Sequence, residues 1–378
     1  MMDYIYFDHN ATTEVLPRVR ESVSALFDKP YNASSIHYFG RKAKGIIEDA
    51  RRAILNSQGA NIKDYDVIFT SSGTEANNML VRSFEDANLF LSSIEHLSLL
   101  EAAKDHKKTK IINVDHNGSI KLDELEKLLS ESDENEEKVV SVMLANNETG
   151  VIQDIKTIAQ IVHKHGAILH SDITQGYGKI EINLEDLDID LATISAHKIG
   201  GTFGAGALIK KAQIQVKPLL LGGGQEKRMR AGTENTHAIL GFGEAASMIK
   251  NTISAYSKVQ NFRDYIERRL LNAKIYCKDC ARLPNTSCLA MPGVNSEAQV
   301  IKFDLEGFAV SAGSACSSGK INYSHVLYAM NPSDTLINNA IRISLGSNST
   351  MEEAEKFAST WEMLHGKNIT KKIVMEVH

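Results

Sequence analysis

The chain has 378 residues, 43% hydrophobic and 24% charged, with 42 basic against 47 acidic side chains and a net charge of −5. That length is more than one compact core usually holds, so a large domain plus a smaller one is expected; the mild acidity argues against a nucleic-acid or anionic-membrane surface. Four cysteines, at 277, 280, 288 and 316, are too few for a disulfide framework. No apolar run reaches the ~20 residues of a membrane span, and the opening residues carry no signal-peptide pattern, so a cytoplasmic protein is the expectation.

In chain order, residues 18–27 and 40–57 read as helical and are candidates to pack with the smaller domain. From about 66 to 210, seven β-rich runs follow, at 67–70, 89–92, 110–114, 139–144, 167–171, 191–195 and 206–209. Between several of them lie amphipathic stretches at 97–107, 122–130 and 155–165, with apolar residues at three- and four-residue spacing. Such alternation predicts a mainly parallel sheet wrapped by helices, with ligands beyond the carboxyl ends of its strands. Residues 130–138 (SESDENEEK) read as a solvated loop and 234–273, free of proline, as a long helix. Strand and helix alternate again at 287–291, 296–306, 340–344 and 351–365, as a small α/β domain would.

Several residues carry chemistry. In Ser195-Ala196-His197-Lys198-Ile199-Gly200-Gly201 a lysine follows a predicted strand, and a buried amine there can condense with an aldehyde cofactor. Asp172 ends the run at 167–171, where a carboxylate could keep a pyridine nitrogen protonated; a helix-capping role is the alternative. Gln175 could reach such a cofactor's phenolic oxygen. Ser71-Ser72-Gly73-Thr74 lies between strand and helix, where backbone N–H groups form a natural anion site for a phosphate. Ser195 and His197 add donors. Residues 311–319 are small and poor in apolar anchors, so Cys316 reads as an exposed thiol on a mobile loop. Cys277 and Cys280 form a C-x-x-C with no second pair at zinc spacing, which leaves coincidence, redox or metal roles open and no metal site expected.

Taken together these segments resemble the NifS-type cysteine desulfurases of the class-V aminotransferase family. The likeness runs from Tyr6-Phe7-Asp8-His9-Asn10-Ala11-Thr12-Thr13 to Ile341-Arg342-Ile343-Ser344-Leu345-Gly346. In order it takes in Ser72-Gly73-Thr74-Glu75, Glu95-His96, Asn146-Asn147-Glu148-Thr149-Gly150, His170-Ser171-Asp172-Ile173-Thr174-Gln175, Ser195-Ala196-His197-Lys198, Arg230-Ala231-Gly232-Thr233 and Gly313-Ser314-Ala315-Cys316.

The resemblance implies an α/β protein of the pyridoxal-phosphate-dependent transferase fold type I. It would have a large domain at 14–255 with a mainly parallel seven-stranded sheet, and a smaller α/β domain from 1–13 and 256–378. It implies pyridoxal 5'-phosphate as cofactor, L-cysteine as substrate, alanine as product and a persulfide on Cys316. Lys198 would hold the cofactor and move protons; Asp172 would pair with its pyridinium and Gln175 with its phenolic oxygen. His96 would stack on the ring and act as acid or base. Asn147 would contact cofactor or substrate, and Gly73, Thr74, Ser195 and His197 would hold the phosphate. Thr233 would reach the phosphate of a second subunit, which implies a homodimer, and Arg342 would clamp the substrate carboxylate. A sulfur-acceptor protein, such as an iron–sulfur scaffold, is the expected partner, with no nucleic acid and no membrane.

Three departures from the family pattern stand out: Ser72 in place of a glycine, no proline after Gly200-Gly201, and a short stretch after Gly346 where relatives dock a scaffold. The rivals are a selenocysteine lyase, a small-substrate aminotransferase, which would need no thiol at 316, and a non-catalytic binding scaffold of the same fold.

Overall fold

The structure is a computed structural model that describes residues 4–313 and 324–376. The chain opens on a short strand, β1 (Ile5–Tyr6), followed by helices α1 (Pro17–Ser24) and α2 (Tyr38–Ser57). Seven strands then build the main sheet: β2 (Tyr65–Thr70), β3 (Asn88–Ser92), β4 (Thr109–Ile112), β5 (Lys138–Ser141), β6 (Ile168–Asp172), β7 (Leu191–Ser195) and β8 (Gly206–Lys211). Their spatial order is β2-β8-β7-β6-β5-β3-β4. Six run in one direction, and β8 lies antiparallel to both its neighbours. Strands β3, β5 and β7 are buried along their whole length, because helices cover both faces of the sheet.

The crossover helices are α3 (Gly73–Ser83), α4 (Leu97–Leu100), α5 (Leu122–Ser130) and α6 (Ile155–Lys164). Helix α6 shows how the sequence writes them. Asp154 caps it by accepting from the Thr157 N–H at 3.1 Å, while Ile155, Ile158, Ala159 and Val162 are buried in the core. Gly166, at φ 65, ends it. The helix expected over 97–107 is regular only to Leu100. Beyond it the chain tightens into turns, with Lys104 N–H donating to Glu101 O and His106 N–H to Ala103 O. This brings the His106 ring to the Phe84 carbonyl at 3.0 Å.

Two further expectations are corrected. Helices α1 and α2 pack on the main sheet's core, not on the smaller one: Val19, Val23, Ile47, Ile54 and Leu55 share it with Phe242. The helix expected over 234–273 is two helices, α7 (Thr236–Ser247) and α8 (Ile249–Arg269), parted at Met248. Ala238, Ile239 and Phe242 of α7 belong to the main core, while Tyr256, Val259 and Ile266 of α8 enter a second one. One straight axis cannot serve both.

The second core draws on β9 (Lys274–Ile275), β10 (Thr286–Ala290), α9 (Ser296–Leu305), β11 (Phe308–Ala309), β12 (Ser311–Ala312), β13 (Ala340–Ser344) and α11 (Met351–Glu376), while α10 (His325–Met330) packs in a separate cluster with Ile94, Val114 and Cys288. Its antiparallel sheet has the order β12-β13-β10-β9. Phe303 stacks on Phe357 with centroids 4.9 Å apart, beside Trp361. The first residues tie the two cores together. Strand β1 pairs with β11, the His9 N–H donates to Ser344 O at 3.0 Å, and the Thr13 N–H reaches His197 O at 3.2 Å.

Strand β8 starts at Gly206, against the turn that follows β2. A Cβ there would stand 2.3 Å from the Ser72 carbonyl carbon and 2.6 Å from the Gly73 nitrogen. Gly206→Ala is expected to displace that turn and cost about 1–3 kcal/mol. A lower denaturant midpoint at unchanged slope would register it.

Candidate active site

Because β8 is reversed, its first residue and the last residues of the parallel strands meet at one edge of the sheet. There lie the Ser71–Thr74 turn after β2, Glu95 and His96 after β3, Asn146–Glu148 after β5, Asp172 at the end of β6, and Ser195–Lys198 at the end of β7. Arg342, on β13, enters from the second core.

Lys198 lies among these groups. Its Nζ donates to the backbone carbonyls of Asn10 and, at 2.7 Å, Ala11. Burial and the nearby Arg342 lower its pKa to about 8, against the opposing pull of Asp8 and Asp172. A substantial neutral fraction near pH 7 is what a nucleophilic amine needs. Condensation of the ligand-free protein with an aldehyde should therefore speed up about tenfold per pH unit and level off above about 8. A solvated lysine would still be accelerating near pH ~10. Rapid-mixing absorbance separates the two.

Asp172 is buried and held on both oxygens: the Asn77 amide donates at 3.0 Å and the Thr174 N–H at 3.0 Å. Sequence reasoning passed over Asn77, which is buried in α3 and also donates to Ser98 Oγ at 2.8 Å. His96 accepts the Ser98 N–H at 3.1 Å and caps α4. Crowding by protein atoms lowers its pKa, with Asp172 pulling the other way and Lys198 adding to the drop. It is therefore a neutral imidazole at the crevice edge. His197 is pushed lower, to about 4, by burial and then Lys198; its Nδ1 lies 3.2 Å from Thr12 Oγ1.

At the head of α3, Ser72 acts as an N-cap, its Oγ accepting the Glu75 N–H at 3.2 Å. Serine at this place therefore has a job that glycine could not do. The N–H groups of Gly73 and Thr74 have no acceptor among the described residues. A Cβ on Gly73 would stand 3.7 Å from the Ser195 Cβ, so the turn lies directly against β7. Ser195 is buried and makes no side-chain hydrogen bond among the described residues. An anion there would meet free N–H donors, the Thr74 and Ser195 hydroxyls and His197.

Arg342 is buried, with Nη1 donating to Asn147 O at 3.0 Å and Nη2 to Asp8 Oδ1 at 2.5 Å. Its Nε is buried and has no partner among the described residues, leaving a donor for a carboxylate. Asn147 contributes its backbone carbonyl, which also accepts from the Asn10 side chain at 3.1 Å. Its own amide has no partner among the described residues. Gln175 donates from Nε2 to Asn10 O at 3.0 Å, and its Oε1 accepts from Lys179 at 2.8 Å.

Asn10 and Lys179 are the groups the sequence did not reveal. Lys179 is 2% exposed, and its Nζ also donates to Asn10 Oδ1 at 2.7 Å. Burial, then Lys198 and Arg342, hold its pKa well below the usual amine range. A lysine on a loop gives no such signal in sequence, where it defaults to the surface.

Thr233 is exposed, in a segment pinned by Arg230 to Glu75 at 2.8 Å. Just before it, Glu226, Lys227 and Arg228 all hold positive φ (44, 55 and 70), fixed by Glu226 against Arg51 and the Phe69 N–H. Cys316, with residues 314–323, lies outside the described residues; the chain on either side of them, Gly313 and Ser324, sits by Glu148, whose Oε2 accepts from Ser324 Oγ at 2.5 Å.

The aminotransferase class-V family model matches residues 5–357. A cysteine desulfurase of Gluconacetobacter diazotrophicus is 35% identical over 371 residues, covering 94% of this chain and 92% of its own. A solved NifS-like protein from Rickettsia africae superposes with a TM-score of 0.91 at 42% identity, over 96% of this chain and 99% of that one. SspA, solved in complex with cysteine, gives a TM-score of 0.78 at 27% identity over 91% of this chain and 99% of its own. With a lysine, an aspartate and an arginine gathered at one sheet edge, and likeness over nearly its whole length, the chain belongs to the class-V aminotransferase family.

Proposed function

We propose that this protein is a pyridoxal-phosphate-dependent cysteine desulfurase that converts L-cysteine to L-alanine and takes the sulfur as a persulfide on Cys316. One observation carries the reading: Lys198, with its lowered pKa, shares a crevice with buried Asp172 and with Arg342, whose Nε is unspent.

The donor set fits the cofactor. Gly73, Thr74, Ser195 and His197 would hold the phosphate, Asp172 the pyridine nitrogen, Gln175 the phenolic oxygen and Lys198 the aldehyde carbon. When bound, pyridoxal phosphate supplies an electron sink for charge developing at the substrate's α-carbon. Arg342 would bind the substrate carboxylate, with Asn147 beside it. Lys198, once released, is placed to move the α-proton, and neutral His96 can pass a second one. The Cys316 thiolate would attack the substrate sulfur: the carbon–sulfur bond breaks, a sulfur–sulfur bond forms on Cys316, and a proton completes alanine.

The chain divides, in this reading, into a large domain at 14–255 and a smaller one from 1–13 and 256–378, which the two cores support. It acts as a homodimer in the cytoplasm, with Thr233 completing the phosphate site of the second subunit. Exposed Phe27, Leu220 and Leu221 near the Thr233 segment support an interface there. The sulfur passes to an acceptor protein such as an iron–sulfur scaffold. No helix among the described residues is long and apolar enough to cross a membrane.

The test is an absorbance scan of the cofactor-loaded protein with and without cysteine, together with alanine and sulfide measurement. A cysteine-dependent spectral change with equal alanine and sulfur release supports the reading. A protein that stays colourless with added cofactor overturns it.

A further inference from the structure

The desulfurase chemistry leaves three thiols unused, and the fold places two of them, Cys277 and Cys280, on one carbonyl. Residues 277–280 form a reverse turn, closed by the Cys280 N–H on Cys277 O at 3.1 Å. Cys277 holds φ 55, a left-handed conformation uncommon for a residue with a side chain. Both thiols meet one acceptor, the Asn117 carbonyl, 3.3 Å from Cys277 Sγ and 3.8 Å from Cys280 Sγ. A four-residue turn holds its end Cα atoms within about 7 Å, and disulfides usually span about 4.4–6.8 Å, so closure needs little backbone movement.

The position of the pair gives it consequences. Asn117 lies in a turn beyond β4, fixed by Asp115 Oδ1 accepting the Asn117 and Ser119 N–H groups. The next turn residue, Gly118, accepts from Gln153 at 2.7 Å. Directly after Cys280, Ala281 O accepts the Ile152 N–H at 2.9 Å, and the Leu283 N–H donates to Gly150 O at 2.8 Å. The thiols thus clasp a turn of the main sheet to the segment that backs Asn147 and Glu148. Among the described residues no third histidine, cysteine or carboxylate joins them in a metal-binding group, which favours exchange chemistry over a metal site.

We propose that Cys277 and Cys280 form a reversible dithiol–disulfide pair, oxidised by low-molecular-weight disulfides of the glutathione type, whose closure withdraws both thiol donors from Asn117 and loosens this clasp. Cys280 is the less crowded thiol and reacts first. Its thiolate attacks the external disulfide, forming a mixed disulfide and expelling one thiolate. Cys277 then attacks the Cys280 sulfur and expels the second. The two released thiolates take up the two protons lost by the cysteines, and the external disulfide is reduced by the two electrons the pair gives up.

The test reads thiol state, not turnover, so it stands apart from the desulfurase reading. Cofactor-loaded full-length protein carrying Cys316→Ser is equilibrated in glutathione buffers of rising disulfide fraction and quenched with iodoacetamide. Chymotrypsin, which does not cut before Pro284 or at Lys278, then releases residues 277–289 on one peptide, where Cys288 is the third cysteine and carries its own alkyl group throughout. The expected result is joint loss of both alkyl groups, with a mass two hydrogens below the dithiol, reversed by dithiothreitol. Adding Cys277→Ser should leave a stable glutathione adduct on Cys280. Amide hydrogen exchange of residues 117–119 should rise at least several-fold on oxidation. Full alkylation of both cysteines in glutathione disulfide alone, or adducts that never close internally, would overturn the pair. Unchanged exchange at 117–119 would overturn the clasp.

Discussion

Lys198→Ala is expected to purify without the cofactor's bound-aldehyde absorbance and to turn over cysteine about 10^4-fold more slowly or worse, at the upper end for loss of a proton-transferring group. Two functions are lost with one amine: covalent hold on the cofactor and transfer of the substrate's α-proton. No neighbour can take over. Lys179 is the other lysine of the crevice, but it is buried with Nζ committed to Asn10 Oδ1 and Gln175 Oε1. Leaving those oxygens would strand Asn10, which also accepts from Asn285 and donates to Thr286. The alanine variant should still bind cofactor through the free N–H groups at the head of α3 and through Asp172, but lose it on dialysis. Absorbance before and after dialysis, with alanine production from cysteine, checks this. A wild-type band in the variant would mean that another amine does the work.

The second large effect is opposite in kind. Cys316→Ser should keep the full absorbance of the loaded protein and its spectral response to cysteine, yet form no persulfide. A hydroxyl is protonated near neutral pH and is a poor nucleophile toward sulfur, whereas a thiolate is a good one. Cys288 cannot substitute, because burial pushes its pKa well above the usual thiol range; Cys277 and Cys280 are held on the Asn117 carbonyl in the turn at 277–280. Intact mass after a cysteine pulse should show the gain of one sulfur atom in the wild type and none in the variant. Undiminished sulfur transfer by the serine variant would remove Cys316 from the scheme.

The two experiments separate the halves of the reaction, because cofactor chemistry depends on Lys198 and Asp172 while sulfur capture depends on Cys316. A spectral change without sulfur release in Cys316→Ser, beside loss of both in Lys198→Ala, is the pattern the proposed roles require.

Local pattern alone determined a good deal. Short β-rich runs alternating with amphipathic stretches located the seven strands of the main sheet, because a doubly covered sheet demands nearly continuous apolar strands. The same pattern placed Asp172 and Lys198 at strand ends, which is a chain-local property. What the tertiary structure decided depends on chain direction and long-range pairing. That β8 is reversed, bringing Gly206 onto the Ser72 turn, could not be read from an apolar run, which looks alike in either direction. Asp8 meets Arg342 and Asn10 meets Ser344 across 334 positions of sequence, and Lys179 is buried by partners drawn from elsewhere in the chain. A side chain's own neighbours in sequence carry no record of such partners, because burial of a charge is settled by what the folded chain brings around it.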